Sequence, residues 1–382
     1  MDIYLLFLIS AIIYLSRTIL FKIGNKLEEA NNLNIINYDF VPFVSIVVPA
    51  RNEENNIAHC LISLSKSQYP IDRYEIVIVN DRSTDNTLEV INSLKFQIPN
   101  LKIVNITDDS QKGNLRGKPG ASQAGIDVAD GEFILMTDAD CFVPKTWVRR
   151  VVNEFQNPNT HLVCSYTTVD GKTPFEIVQS VEWIYSNTLA RGGVGLGKVI
   201  GCFGNNLSVR KSTFEKLGGY RKIPFTVTED LSLMKAIDES NFDESNINKN
   251  KSKIRYICDT MAVIETSPCK TFAEYIEQHK RWAMGGRALG WKAFVLVFTS
   301  LSLWAGIFLS LINFKFHLAA LLITLRVVCD IWIILPTLNK IKYTYLKSWL
   351  VPSIMFFMLI ELIIPFTLFS NKIVWKNQVF KR

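Results

Sequence analysis

Val44-Ser45-Ile46-Val47-Val48-Pro49-Ala50-Arg51-Asn52-Glu53-Glu54 decides the fold class. Val44–Val48 is a β-branched run, the signature of a strand buried on both faces. It stops abruptly at Pro49, and acidic residues follow. Working outward, Ile57–Leu64 reads as a helix and Glu75–Val79 as a second such strand. The next helix opens at Thr84-Asp85-Asn86-Thr87-Leu88, with Thr84 or Asp85 as cap. Leu101–Ile106 and Phe133–Met136 add two strands, and a helix lies near Trp147–Phe155. This β-α-β-α order predicts an α/β fold: a mostly parallel sheet with helices on both faces. Ligands of such sheets sit at the carboxyl ends of the strands. The later half is mixed. Pro174–Leu189 reads as helix, Leu207–Val209 as a short strand and Ser212–Leu217 as a helix ending at Gly218-Gly219. Gly192–Gly201 reads as a flexible loop, and polar Asp238–Lys253 as a surface insertion or hinge.

Four apolar stretches flank this unit. Ile3–Phe21 has its basic residues toward and beyond its C-terminal end, at Arg17, Lys22 and Lys26, which predicts an uncleaved membrane anchor with that end facing the cytoplasm. Ala293–Ile312, Leu318–Pro336 and Trp349–Phe369 each approach the ~20 residues that cross a bilayer core. Pro352 and Pro365 bracket the last, and the basic tail with Lys372, Lys376, Lys381 and Arg382 favours the cytoplasm; one run is therefore expected to be interfacial or re-entrant. Arg326 and Asp330 lie four apart on one helical face and are expected to neutralise each other or face a polar cavity. Glu361 has no obvious partner in the sequence. The expected organisation is an anchor at 1–24, a cytoplasmic unit at 42–290 and a membrane domain of two to three helices at 291–371.

Composition narrows the function. The chain of 382 residues carries a net charge of +7, partly beside the apolar runs. No basic patch interleaved with aromatics is present, which argues against nucleic acid. The seven cysteines include no C-x-x-C pair, so neither a disulfide framework nor a zinc site is expected. The turn after the first strand lacks the glycines of a dinucleotide fingerprint, which removes a nicotinamide cofactor.

The chemistry-bearing residues cluster at strand ends and helix starts. Pro49 and Glu53 follow the first strand, and Asp81 closes the second; carboxylates there can accept from a base N–H or a ribose hydroxyl. Asp85 reads as a helix cap. Arg116-Gly117-Lys118-Pro119-Gly120 precedes a helix, and Lys118 offers a point charge to a phosphate. Asp138-Ala139-Asp140 follows an apolar strand; two carboxylates one residue apart can hold Mg2+ or Mn2+ on diphosphate oxygens. Thr228-Glu229-Asp230 heads a helix, with Thr228 as cap and acidic residues in the first turn. A carboxylate placed there is expected to have a depressed pKa unless the acceptor buries it. Gln278, Arg281 and Trp282 share about one turn of a helix running from Thr271.

In this order and beside a membrane, the D-x-D, T-E-D and Q-x-x-R-W resemble the membrane-bound branch of the family 2 glycosyltransferases. The resemblance spans most of residues 44–282 and implies a GT-A-like fold. It implies that P-x-x-N-E, D-x-S-x-D and the Gly117-Lys118 segment line the nucleotide pocket; Asn80 stands where the family usually has the first Asp of a pair. It further implies Asp230 as general base with Glu229 beside it, metal at Asp138 and Asp140, and Gln278, Arg281 and Trp282 on the nucleotide sugar. The expected reaction is inverting transfer from a UDP-sugar to a lipid, lipid-linked or glycan acceptor at a cell membrane. Processive polysaccharide synthesis is the alternative, and a non-catalytic membrane scaffold is a third reading.

Overall fold

The computed structural model describes residues 3–33, 35–241, 253–367, 372–375 and 378–381. Helix α1 (Ile3–Asn31) leads into β1 (Val44–Ala50), α2 (Ile57–Ser65), β2 (Tyr74–Asp81), α3 (Thr87–Leu94), β3 (Leu101–Ile106), α4 (Gly117–Asp127) and β4 (Phe133–Met136). Then come β5 (Cys141–Phe142), α5 (Trp147–Asn153), β6 (Leu162–Ser165), β7 (Thr167–Val169), α6 (Pro174–Gly195), β8 (Leu207–Arg210), α7 (Lys211–Lys216), α8 (Glu229–Glu239), β9 (Ile254–Ile257) and β10 (Ile264–Thr266). Helices α9 (Phe272–Gly286), α10 (Trp291–Ile312), α11 (Phe316–Lys340) and α12 (Leu350–Thr367) follow. The helices expected after β2 and at Thr228 start at Thr87 and Glu229, two residues on from Asp85 and two before Leu231.

A seven-stranded sheet in the order β3-β2-β1-β4-β8-β6-β9 forms the centre, and only β8 runs against its neighbours. The first strand meets both expectations made for it. Ile46 and Val48 pack with α2, α3 and α5 in one core, while Val47 faces the other core with α4 and α6. Each such fully buried side chain contributes roughly 1.5–3 kcal/mol. The order reverses between β1 and β4, so a crevice opens at their carboxyl ends. The expected Gly192–Gly201 loop is half wrong, because α6 continues to Gly195. A Cβ on Gly24 of α1 would lie 2.0 Å from the Gly192 oxygen, and one on Gly195 would lie 1.9 Å from that of Gly24. These glycines let two helix backbones touch, rather than loosening the chain.

Among the described residues, four helices are long and apolar enough to cross a membrane: Ile3–Asn31, Trp291–Ile312, Phe316–Lys340 and Thr344–Thr367. Helix α1 runs past the Gly24 limit expected for the anchor, and Glu28 at its end accepts the Tyr256 amide at 2.8 Å. Pro352 and Pro365 fall in the first and last turns of α12, which stays continuous because little backbone pairing is lost there. Arg326 Nε meets Asp330 at 2.9 Å, as the helical spacing predicts. Glu361 does have a partner: the Arg326 guanidinium grips it with both terminal nitrogens at 2.8 and 2.6 Å. Most of the Asp238–Lys253 insertion, together with Lys376 and Arg382 of the tail, lies outside the described residues.

Candidate active site

The loops after β1 and β2 are built as one unit. Asn52 and Arg82 both take positive φ, turning the chain sharply at the two strand ends. Asn52 Oδ1 accepts from the Thr84 amide at 2.8 Å, Thr87 Oγ1 from the Glu53 amide at 2.7 Å, and Asp85 from the Thr87 amide at 3.1 Å. Asp85 is thus structural, as expected, while Pro49, Glu53 and Asp81 line the cavity beyond. The Asp81 carboxylate is buried and already bound by cations. Lys112 Nζ lies 3.0 Å away, with its own side chain fully enclosed, and Arg82 Nε donates at 3.0 Å.

All eleven of the expected site residues line a single cavity of about 240 Å³ at the β1–β4 crevice: Pro49, Glu53, Asp81, Lys118, Asp138, Asp140, Glu229, Asp230, Gln278, Arg281 and Trp282 all reach it, Glu229 entering beside Asp230. Lys118 does not stand open for a phosphate. Its ammonium lies 2.6 Å from Asp138 and 3.3 Å from Glu229, bridging the two acidic motifs. Burial works against that charge, but Asp138 and Glu229 outweigh it and raise its pKa. Arg281, by contrast, has no carboxylate within ion-pair distance among the described residues, and Arg116 joins it on the wall. Gln278 Oε1 is shielded and accepts no hydrogen bond among the described residues.

Asp230 departs from its expected titration. Its Oδ2 accepts from the Gly204 amide at 2.7 Å and its Oδ1 from the Leu231 amide at 2.8 Å. Burial nevertheless dominates, Glu229 adds to it, and the pKa rises to about 7 despite Lys118 and the two amides. The helix-start argument predicted the opposite direction; enclosure by the protein itself outweighs a single turn of aligned peptides. A Cβ on Gly204 would sit 3.1 Å from that of Asp230, so a larger residue there would crowd the carboxylate that the amide holds. Thr228 occupies the cap position but makes no capping bond. It is pressed against Gly285 of α9, where a Cβ would come within 2.2 Å of its Oγ1.

Asp138 and Asp140 pass a chemical test for a divalent cation. Both present oxygen to the cavity, and Thr266 Oγ1 orients Asp140 at 3.2 Å. Among the described residues no group of three His, Cys, Asp or Glu side chains could hold a metal. Mg2+ and Mn2+ tolerate such sparse protein ligation, because they keep water and take substrate phosphate oxygens.

Sequence reasoning missed an aromatic wall. Trp183 stacks on Phe203 at 4.6 Å, and Trp282 meets their edges at 5.4 and 5.6 Å. Trp183 lies inside a long helix and Phe203 in a loop, and nothing in their spacing points to the cavity.

Comparisons with known proteins bear on the family and the fold. The family description Glycosyl transferase family group 2 matches residues 133–368, and Glycosyl transferase family 2 matches residues 45–218. The probable glycosyltransferase YdaM of Bacillus subtilis is 32% identical over 184 residues, covering 47% of this chain and 43% of its own length. The beta-monoglucosyldiacylglycerol synthase of Nostoc sp. is 28% identical over 253 residues, covering 64% of this chain and 49% of its own. The chain spans about half the length of the curated relatives it matches. In fold, it is similar to the mannosyltransferase PcManGT from Pyrobaculum calidifontis, solved in complex with GDP-Man and Mn2+. The TM-score is 0.59 at 16% identity, covering 94% of this chain and 99% of that one.

Proposed function

The chain belongs to the family 2 glycosyltransferases, and on that premise we propose that it transfers a sugar, with inversion, from a UDP-sugar to a lipid or lipid-linked acceptor at the membrane. The observation that carries the mechanism is Asp230. Its pKa near 7 suits a group that must take a hydroxyl proton at neutral pH. Two backbone amides hold it still, and no side-chain cation binds it within ion-pair distance among the described residues. The acceptor oxygen attacks the anomeric carbon as Asp230 removes its proton, and the bond to the diphosphate breaks in line. Glu53 and Asp81 take the nucleoside, and Arg281, with Gln278 beside it, faces the diphosphate. Trp282 offers a ring face to a sugar. Glu229 keeps Lys118 between the acidic motifs. A divalent cation held by Asp138 and Asp140 would neutralise the leaving diphosphate.

The acceptor assignment rests on two supports. Relatives named beta-monoglucosyldiacylglycerol synthase act on a lipid. The intramembrane charges Arg326, Asp330 and Glu361 are paired with one another, which leaves little polar lining for a polymer's passage. Residues 42–290 then face the cytoplasm, where nucleotide sugars are made, between an anchor at the N-terminus and a membrane domain at 291–371.

Incubating membranes that contain the full-length protein with radiolabelled UDP-sugars and manganese tests the reaction. Label entering the organic phase is expected; label confined to a water-soluble polymer would overturn the lipid reading. For orientation, Ser245→Cys should react with an impermeant maleimide only after cells are permeabilised. Labelling of intact cells would reverse the topology.

A further inference from the structure

Helix α9 presents Gln278, Arg281 and Trp282 to the cavity, and its adjoining face, with Tyr275, His279 and Trp282 itself, meets α6. His279 Nδ1 lies 2.8 Å from the Tyr275 carbonyl oxygen, and its Nε2 lies 2.6 Å from Glu182 Oε1. A carbonyl has no proton to give, so Nδ1 must donate. Nε2 then faces a carboxylate and needs a proton as well. One proton therefore lies between Nε2 and Glu182, and with it on the ring His279 is a cation balanced by that carboxylate. The Tyr275 hydroxyl donates to the second Glu182 oxygen at 2.8 Å, so one carboxylate of α6 binds two successive turns of α9. Burial opposes the His279 charge, and Glu182 outweighs it to raise the pKa. The other titratable groups nearby are Lys280 on the same helix and Cys269 on the preceding loop; from α12 the contact is the ring of Phe356 on Tyr275.

This pair sits directly behind the aromatic wall. Trp183 follows Glu182 in the chain, and Trp282 is three residues beyond His279 with ring centroids 5.0 Å apart. The ion pair and the Trp183–Trp282 contact are two layers of one helix crossing. We propose that Glu182 is a positioning residue for the transfer reaction: through His279 it sets where α9 places Trp282 and Arg281 in the cavity. The inference rests on the reaction proposed above, but neither residue touches the cavity's substrates.

Full-length protein in detergent tests it in two ways. Nitrogen spectra of labelled histidine at pH 8, assigned with His279→Gln, should show two protons on His279 in the wild type and one in Glu182→Gln. A neutral wild-type His279 would overturn the pair. Transfer from the UDP-sugars should fall about tenfold in kcat/KM for Glu182→Ala, and by less than about twofold when Trp282→Phe is already present. A loss of equal size in both backgrounds, or none in either, would leave Glu182 a structural residue only and defeat the proposal. Glu182→Gln, which retains the shape, is read in the same cycle if the alanine variant does not fold. A wild-type protein that transfers no sugar would defeat the proposed function and this inference with it, a result distinct from transfer that Glu182 variants leave untouched.

Discussion

The cluster of charge in the cavity and the cluster of buried charge among the apolar helices are built by opposite rules. In the second, Asp330 accepts from Tyr14 of α1 at 2.7 Å, Tyr185 of α6 at 2.8 Å and Arg326 of α11 at 2.9 Å. Glu361 of α12 takes the Arg326 fork and also accepts from Trp304 of α10 at 3.3 Å. Every long apolar helix contributes, and so does α6. In the cavity, Glu53, Asp81, Asp138, Asp140, Glu229 and Asp230 line a space whose cations are Arg51, Arg116, Lys118 and Arg281. There Asp230 is left to backbone amides and its pKa climbs. A cluster that satisfies itself holds elements together; a cluster left short of cations can bind a cationic partner and exchange a proton.

The contrast breaks most sharply at Asp230. Asp230→Asn should lower transfer by ~10²–10⁴-fold, the usual worth of a general base, while UDP affinity by titration calorimetry stays near wild type. In the wild type, kcat/KM should rise with pH through about 7, as the carboxyl loses its proton. Wild-type turnover in the variant, or a profile flat from pH 5 to 8, would remove the base assignment.

The membrane cluster should fail through stability instead. Arg326→Ala leaves Glu361 without its cation and Asp330 with only Arg17, 3.8 Å away, and should cost about 3–5 kcal/mol, read as unfolding in detergent. A loss below about 1 kcal/mol would show that the pairing is dispensable. Asp138→Ala or Asp140→Ala should then weaken UDP binding by ~10–100-fold in the presence of manganese, the scale of hydrogen bonds to charged groups. UDP affinity that EDTA does not change in the wild type would exclude the metal.

The smallest effect sharpens the comparison on one residue. The folded-state pKa of Asp230 is raised above its unfolded value, so the native state binds the extra proton between about pH 4 and 7. Stability from this group is complete below that window and is lost as pH rises through it. Above pH 7, Asp230→Asn should therefore be more stable to unfolding than the wild type, by on the order of 1 kcal/mol because one face of the carboxyl is open to the cavity. A variant less stable than the wild type at pH 8 would show that the two amides need the full charge.

The strand and helix order, the carboxylates at strand ends and the four apolar runs were all legible in the chain, because each depends on local pattern. A strand buried on both faces must be apolar over most of its length, and a spanning helix must be apolar for about 20 residues. Even Arg326 and Asp330 were pairable from helical spacing alone. Contacts between distant segments were not legible. Glu361 meets Arg326 across two helices, Trp183 reaches the cavity from the middle of α6, and Lys118 turns to Asp138 and Glu229 instead of standing open. The pKa of Asp230 shows the division most plainly. Its place at a helix start argued for a lowered value, since that is all the neighbouring sequence supplies. Only burial by the surrounding fold decided the sign, with Glu229 adding to it and the Gly204 and Leu231 amides opposing it, because desolvation depends on what encloses a charge.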